Sequence, residues 1–243
     1  MMGKNLDIDI NYIQSGSKEK NILLLHGWGG SLESFQAVFD YFKKNYTVTA
    51  IDFCGFGKSP PPPYPFGVEE YAQVVYGFLQ AKNIKKTHII AHSFGGRVAI
   101  ELAYLYPEVV DKLVLASSAG LKRRKTPKYY LNVLRYKLAK KLKKDLSKYG
   151  SADYKAAKGV MRDTFVKVVN CDQTKRLKSI KAPTLLIWGQ NDIETPLYMA
   201  KKMNKLIQDS KLIVIRDTGH FAYRQKSLLF IKHCERFLGE KND

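Results

Sequence analysis

The stretch "IIAHSFGG", Ile89 to Gly96, decides how the rest of this 243-residue chain is read. It begins as an apolar run of the kind buried in a sheet, and it stops at a serine followed closely by two glycines. The chain then resumes as "RVAIELAYLY", residues 97–106, which reads as a helix. A serine at a sharp strand-to-helix turn is thrust beyond the carboxyl ends of the strands, where its Oγ is free to react. Such a turn strains the serine's own backbone. It also requires small residues two before and two after, because a larger side chain would collide with the adjacent strand or helix. Ala91 and Gly95 meet that demand, with Ala91 standing where the G-x-S-x-G pattern has its first glycine.

Outward from this turn, strand-like and helix-like segments alternate. The strand candidates are "IDINYIQ", "NILLLHG", "YTVTAID", "THIIAHS", "KLVLASS", "TLLIWG" and "KLIVIRD". Most are continuous apolar runs, as expected when both faces of a parallel sheet are covered. Helical patterns fall at Leu32–Lys44, Val68–Ala81, Phe94–Tyr106, Leu197–Leu206 and Ser227–Leu238. The alternation predicts an α/β fold with a mostly parallel, doubly wound sheet. "SPPPPYP", Ser59 to Pro65, fits neither a helix nor a central strand and is expected as a stiff surface connection.

The formal net charge is +19, and its distribution matters more than its size. Between Leu121 and Ala182 stand twenty Lys or Arg against four acids, Asp145, Asp153, Asp163 and Asp172, so a quarter of the chain carries +16. This block has no clear strand and is too long for an ordinary connection. Leu131, Leu134, Leu138, Leu142 and Leu146 recur at helical steps, with Lys137, Lys140, Lys141, Lys143 and Lys144 around them. A second helix is expected over Ala152–Val169. The reading is an α/β core of residues 1–120 and 183–243, with a basic helical cap of residues 121–182 inserted between late strands. A positive field of this kind attracts anions, so an acidic acyl carrier protein, a coenzyme-A thioester or an anionic membrane surface are the partners it suggests. Nucleic acid is not expected, because the block carries no recognition motif. No run reaches transmembrane length, and Cys54, Cys171 and Cys234 have no metal or disulfide spacing, which suits a cytoplasmic protein.

A serine needs a base to become a nucleophile. Of the five histidines, His26 and His88 sit in apolar strand ends and His233 inside a helix pattern. His92 precedes the serine and is expected to point to the other side of the turn. His220, in "RDTGHFAY", follows the last strand on a loop at its carboxyl end, where ligand chemistry gathers in open α/β sheets. The base in turn needs an acid to hold its tautomer. Asp192, in "GQNDIETP" after the strand "TLLIWG", is the expected partner, with Glu194 and Asp217 as neighbouring alternatives. The developing negative charge needs N–H donors. Trp28, in the glycine-rich turn of "LLLHGWGGS", and Phe94, at a helix N-terminus, offer theirs.

"HGWGG", "DFCGFGKS", "AHSFGG", "WGQND" and "DTGH" occur in the order of the α/β-hydrolase superfamily, which the chain resembles over essentially its whole length. The resemblance implies that Ser93, Asp192 and His220 are nucleophile, acid and base, and that the basic block takes the place of the family's cap domain. A serine in place of an aspartate at the turn implies an esterase, thioesterase, C–C bond hydrolase, lactonase or peptidase rather than a dehalogenase or epoxide hydrolase. The expected activity is therefore cleavage of a small-molecule carboxylic ester or thioester through an acyl-enzyme, with no metal or organic cofactor. Hydrolysis of a C–C bond in a ring-cleavage product uses the same three residues and stays open, as does a non-catalytic binding module on the same fold. The "HGWGG" turn is similar to that of pimeloyl-carrier methyl-ester esterases, which favours a carrier protein among the anionic partners.

Overall fold

The computed structural model describes residues 8–123 and 151–239 and, between them, residues 130, 131, 133–135, 138, 141 and 142. Seven strands form one sheet: β1 Tyr12–Ser15, β2 Asn21–Leu25, β3 Thr47–Ile51, β4 Thr87–His92, β5 Val110–Ala116, β6 Thr184–Gly189 and β7 Ser210–Ile215. Their order is β1-β3-β2-β4-β5-β6-β7. Only β1 runs antiparallel to its neighbour; the other pairings are parallel. From β2 the chain first steps outward to β3 and then returns to place β4 on the other side. The two outward walks diverge between β2 and β4, and that is where an open sheet leaves a crevice at its carboxyl edge.

The continuous apolar runs are explained by two cores, one on each face. Leu23, Leu25, Ile89, Leu113, Leu115 and Leu186 face the first core. There they meet α2 (Val68–Ala81), α3 (Phe94–Leu105) and a later helix at Leu197–Leu206. Ile22, Leu24, Ile90, Val114, Leu185 and Ile187 face the second, under α1 (Gln36–Phe42) and the C-terminal helix Ser227–Gly239. Successive residues of a strand point to opposite faces, so a run apolar at every position requires a cover on both.

Between β5 and β6 the described residues are helical or irregular. The expected helix over Ala152–Val169 is instead two, α4 (Ala152–Ala156) and α5 (Val160–Asn170), followed by α6 (Thr174–Leu177). The break falls at Gly159, whose φ of +50° is left-handed and interrupts helical geometry. α5 packs onto the core: Met161 lies against Gly55, and Thr164 Oγ1 accepts the Phe66 N–H at 3.0 Å. Leu131, Leu134, Leu138 and Leu142, which recur at helical steps in the sequence, are exposed and belong to neither core. Leu146 and the lysines at 137, 140, 143 and 144 lie outside the described residues. Among the described residues no helix is long and apolar enough to cross a membrane. The two helices bracketing the end of the chain are α7 (Leu197–Leu206) and, after the short α8 (Ala222–Gln225), α9 (Ser227–Gly239).

Three histidines are core residues. His26, His88 and His92 are nearly inaccessible, and burial pushes them down to about 4, about 4 and about 3. Their ordinary value is 6.5, so as pH falls from about 6.5 the unfolded chain takes up protons that the folded chain refuses. Stability is therefore fully present above the unfolded value and is lost between about pH 6.5 and pH 4. Each histidine contributes at most about 1.4 kcal/mol per pH unit across that window. The expected result is a lower urea midpoint at pH 5 than at pH 7.5; equal midpoints would contradict these burials.

Candidate active site

Ser93 stands at the seam between β4 and α3 with φ +49° and ψ −108°, a conformation that a non-glycine residue rarely adopts. The strain is held from both sides. Its N–H donates to the Ala116 carbonyl at 3.1 Å, and its own carbonyl accepts from Ala119 and Arg97. Ala91 fits the buried strand without difficulty. Gly95 is the tighter position, because a Cβ there would collide with the carbonyl oxygens of Leu25 and His26 at the end of β2. Those are backbone atoms of a central strand and cannot swing aside. Gly95→Ala is expected to cost about 1–3 kcal/mol and to lower the melting temperature by several degrees. An unchanged melting curve would mean that α3 does not approach β2 this closely.

His220 follows β7, and Asp192 follows β6, so parallel neighbouring strands deliver both to the same edge of the sheet. His220 Nδ1 lies 3.0 Å from Asp192 Oδ2 and 3.2 Å from Oδ1. A charged carboxylate can only accept, which makes Nδ1 the protonated nitrogen and leaves Nε2 for exchange. Burial alone would raise the Asp192 carboxyl, but hydrogen bonds from His220 and Thr195 outweigh it and hold the group below its ordinary value. The turn supplies these bonds: the N–H groups of Glu194 and Thr195 both donate to Oδ1 at 2.9 Å, and Thr195 Oγ1 lies 2.8 Å from Oδ2.

The two alternative acids separate cleanly. Asp217 has φ +55°, and its carboxylate is turned to solvent near Lys226. Glu194 does reach His220, but on the opposite nitrogen, with Oε2 3.4 Å from Nε2. Ser93 Oγ makes no hydrogen bond with His220 among the described residues, so serine and imidazole share one edge without being joined. His92 does not turn away as expected. Its ring lies 4.7 Å from that of His220, centroid to centroid, and its Nε2 is 3.0 Å from the His220 carbonyl. With Thr195 it is a residue that sequence reasoning missed; the only local sign was its place directly before the serine.

Trp28 follows β2 across the crevice, and its ring packs edge-on against Phe94 at 5.3 Å and Phe56 at 4.8 Å. Phe165 of α5 adds a contact at 5.0 Å, so the segment between β5 and β6 touches the site at this point. The turn after β2 is fixed from below. Buried Asp52 accepts the Leu32 N–H at 2.7 Å, and His26 Nε2 accepts the Phe53 N–H at 3.1 Å. Neither the Trp28 nor the Phe94 N–H donates to another group among the described residues, and Phe94 opens α3, where the helix dipole favours negative charge.

A parallel sheet that brings a strained serine, a buried His–Asp pair and a glycine-rich turn to one edge has the architecture of a hydrolase. The chain belongs to the alpha/beta hydrolase fold family, whose model matches residues 20–149 and 125–227. It is similar to the uncharacterized hydrolase YugF of Bacillus subtilis, 25% identical over 90% of each chain. It is also similar to the 2-hydroxy-6-oxo-6-(2'-aminophenyl)hexa-2,4-dienoic acid hydrolase of Metapseudomonas resinovorans, 26% identical over 97% of this chain and 89% of that one. Among solved structures, the meta-cleavage product hydrolase of Pseudomonas fluorescens IP01 superposes with a TM-score of 0.76 at 23% identity, covering 96% of this chain and 95% of that one.

Proposed function

We propose that this protein is a serine hydrolase that cleaves a small-molecule carboxylic ester or thioester through an acyl-enzyme. The observation that carries the reading is the buried pairing of His220 Nδ1 with Asp192 at the edge that also carries the strained Ser93. His220 Nε2 takes the Ser93 proton as Oγ attacks the acyl carbon. The Trp28 and Phe94 N–H groups receive the oxyanion. Nε2 then protonates the leaving group, and water, activated by the same nitrogen, releases the acid. Ser93 and His220 are not bonded in the free protein, so substrate binding has to close that gap, a common difference between resting and reacting sites.

The segment of residues 121–182 is proposed as a cap, supported by the contact of Phe165 with Trp28. An acidic carrier protein at its basic part was suggested by the charge of the block and by the "HGWGG" turn, and the family match lends it no support. A cytoplasmic setting is supported by Cys54, Cys171 and Cys234 all being unpaired.

A second reading is C–C bond hydrolysis of a ring-cleavage product, favoured by the names of relatives such as the hexadienoic acid hydrolase above. The two are separated by offering the purified protein activated butyrate esters, acyl thioesters and a vinylogous 1,5-diketone acid, and measuring acid release from each. Turnover of the esters or thioesters alone supports the proposal. Turnover of the diketone alone moves the assignment to the second reading. No turnover of any of them would favour a non-catalytic module.

A further inference from the structure

Glu194 is set two residues beyond Asp192 on the same turn, and the two carboxylates take opposite sides of one imidazole. The backbone makes this arrangement definite. The Glu194 N–H donates to Asp192 Oδ1 at 2.9 Å, so the origin of its side chain is fixed relative to the His–Asp pair. From there Oε2 reaches to 3.4 Å from His220 Nε2, while Asp192 occupies Nδ1. The Asp192 side chain is fully buried, but that of Glu194 is 59% exposed. It therefore stands at the mouth of the site and not in its floor.

We infer that Glu194 is a specificity-determining residue that selects against anionic groups beside the bond being cleaved. The inference rests on the serine hydrolase reading, in which Nε2 is the nitrogen that hands the proton to the leaving group. Any group close to the leaving atom must then approach within a few ångströms of the Glu194 carboxylate. At such separations, and in the partly screened setting of a site mouth, like charges repel enough to change a rate about tenfold, which is about 1.4 kcal/mol. A neutral group meets no such cost. Arg123, from the segment after β5, donates its guanidinium to the Ile193 carbonyl, so it holds the turn through the backbone and not through the Glu194 carboxylate.

This selection differs from the attraction of anions expected of the basic segment. Long-range attraction acts on a substrate's total charge, whereas Glu194 acts on the charge next to the scissile bond. A substrate that is neutral at its reacting end and anionic at its far end suits both.

The test uses two activated aryl butyrates of equal size, whose leaving phenol carries either a carboxamide or a carboxylate. The ratio of their kcat/KM values is measured at fixed ionic strength for the wild type, Glu194→Gln and Glu194→Lys. The wild type is expected to prefer the neutral ester by about tenfold, Glu194→Gln to bring the ratio close to one, and Glu194→Lys to reverse it. Added salt to about 0.5 M is expected to shrink the wild-type preference. A ratio that stays the same in all three proteins overturns the inference, even where both rates fall together, because a purely structural role would slow the two esters alike. Ser93→Ala run in parallel keeps the two claims apart. If it retains activity, the serine hydrolase reading fails; if it is inactive and the ratio does not move, only the role of Glu194 fails.

Discussion

Ser93→Ala is expected to remove nearly all hydrolysis of an activated ester, a loss on the order of 10⁴-fold or more in kcat. Removing Oγ deletes the atom proposed to form the acyl-enzyme, and no other hydroxyl stands at the same turn. The fold should persist. The backbone bonds that hold residue 93, from its N–H to Ala116 and from Ala119 and Arg97 to its carbonyl, do not involve the side chain. Alanine must still adopt φ near +49°, a strain that serine already bears, so the thermal melt should move by only a few degrees. The measurement is steady-state hydrolysis beside circular dichroism of the same sample. Full activity in a folded Ser93→Ala protein would place the nucleophile elsewhere.

Asp192→Asn should lower kcat by about 10³- to 10⁴-fold. The carboxylate accepts from His220 Nδ1, from two backbone N–H groups and from the Thr195 hydroxyl region, and it is held in its charged form. An amide keeps the shape but offers one acceptor oxygen instead of two. The backbone donors at 2.9 Å compete for that oxygen, which turns the NH₂ toward the imidazole. Nδ1 must then accept, the ring proton moves to Nε2, and Nε2 can no longer take a proton from Ser93. Glu194→Gln leaves the Nδ1 pairing intact and should cost at least about a hundredfold less than Asp192→Asn. If the two losses were exchanged, Glu194 and not Asp192 would be the acid.

Much of the fold could be read from the chain because its signals are local. A buried parallel strand has to be apolar at consecutive positions, and α2 and α7 begin and end where their patterns do, at Val68–Ala81 and Leu197–Leu206. The turn at Ser93 was equally legible, since a serine in that conformation needs small residues two positions before and two after it, here Ala91 and Gly95. The candidate acid and base followed from their positions after β6 and β7, once an open sheet was expected to gather its chemistry at one edge. Gly159 was visible in the sequence too, yet a glycine inside a helical pattern is compatible with continuation, and only the chain path shows it left-handed.

What the sequence by itself determined is the alternation of elements and the set of groups at the carboxyl edge. The tertiary structure alone decided which way those groups face. Asp192 and Glu194 are two residues apart in one turn; the sequence favoured Asp192 as the partner of the imidazole, but it did not place Glu194 beside Nε2. That placement depends on the backbone hydrogen bonds of the turn and on where β7 places His220. The same holds for His92, whose ring meets His220 because β4 and the loop after β7 converge across 128 residues of chain. A strand's burial is set by neighbours along the sequence, whereas a side chain's partner in a turn is set by elements far away in it.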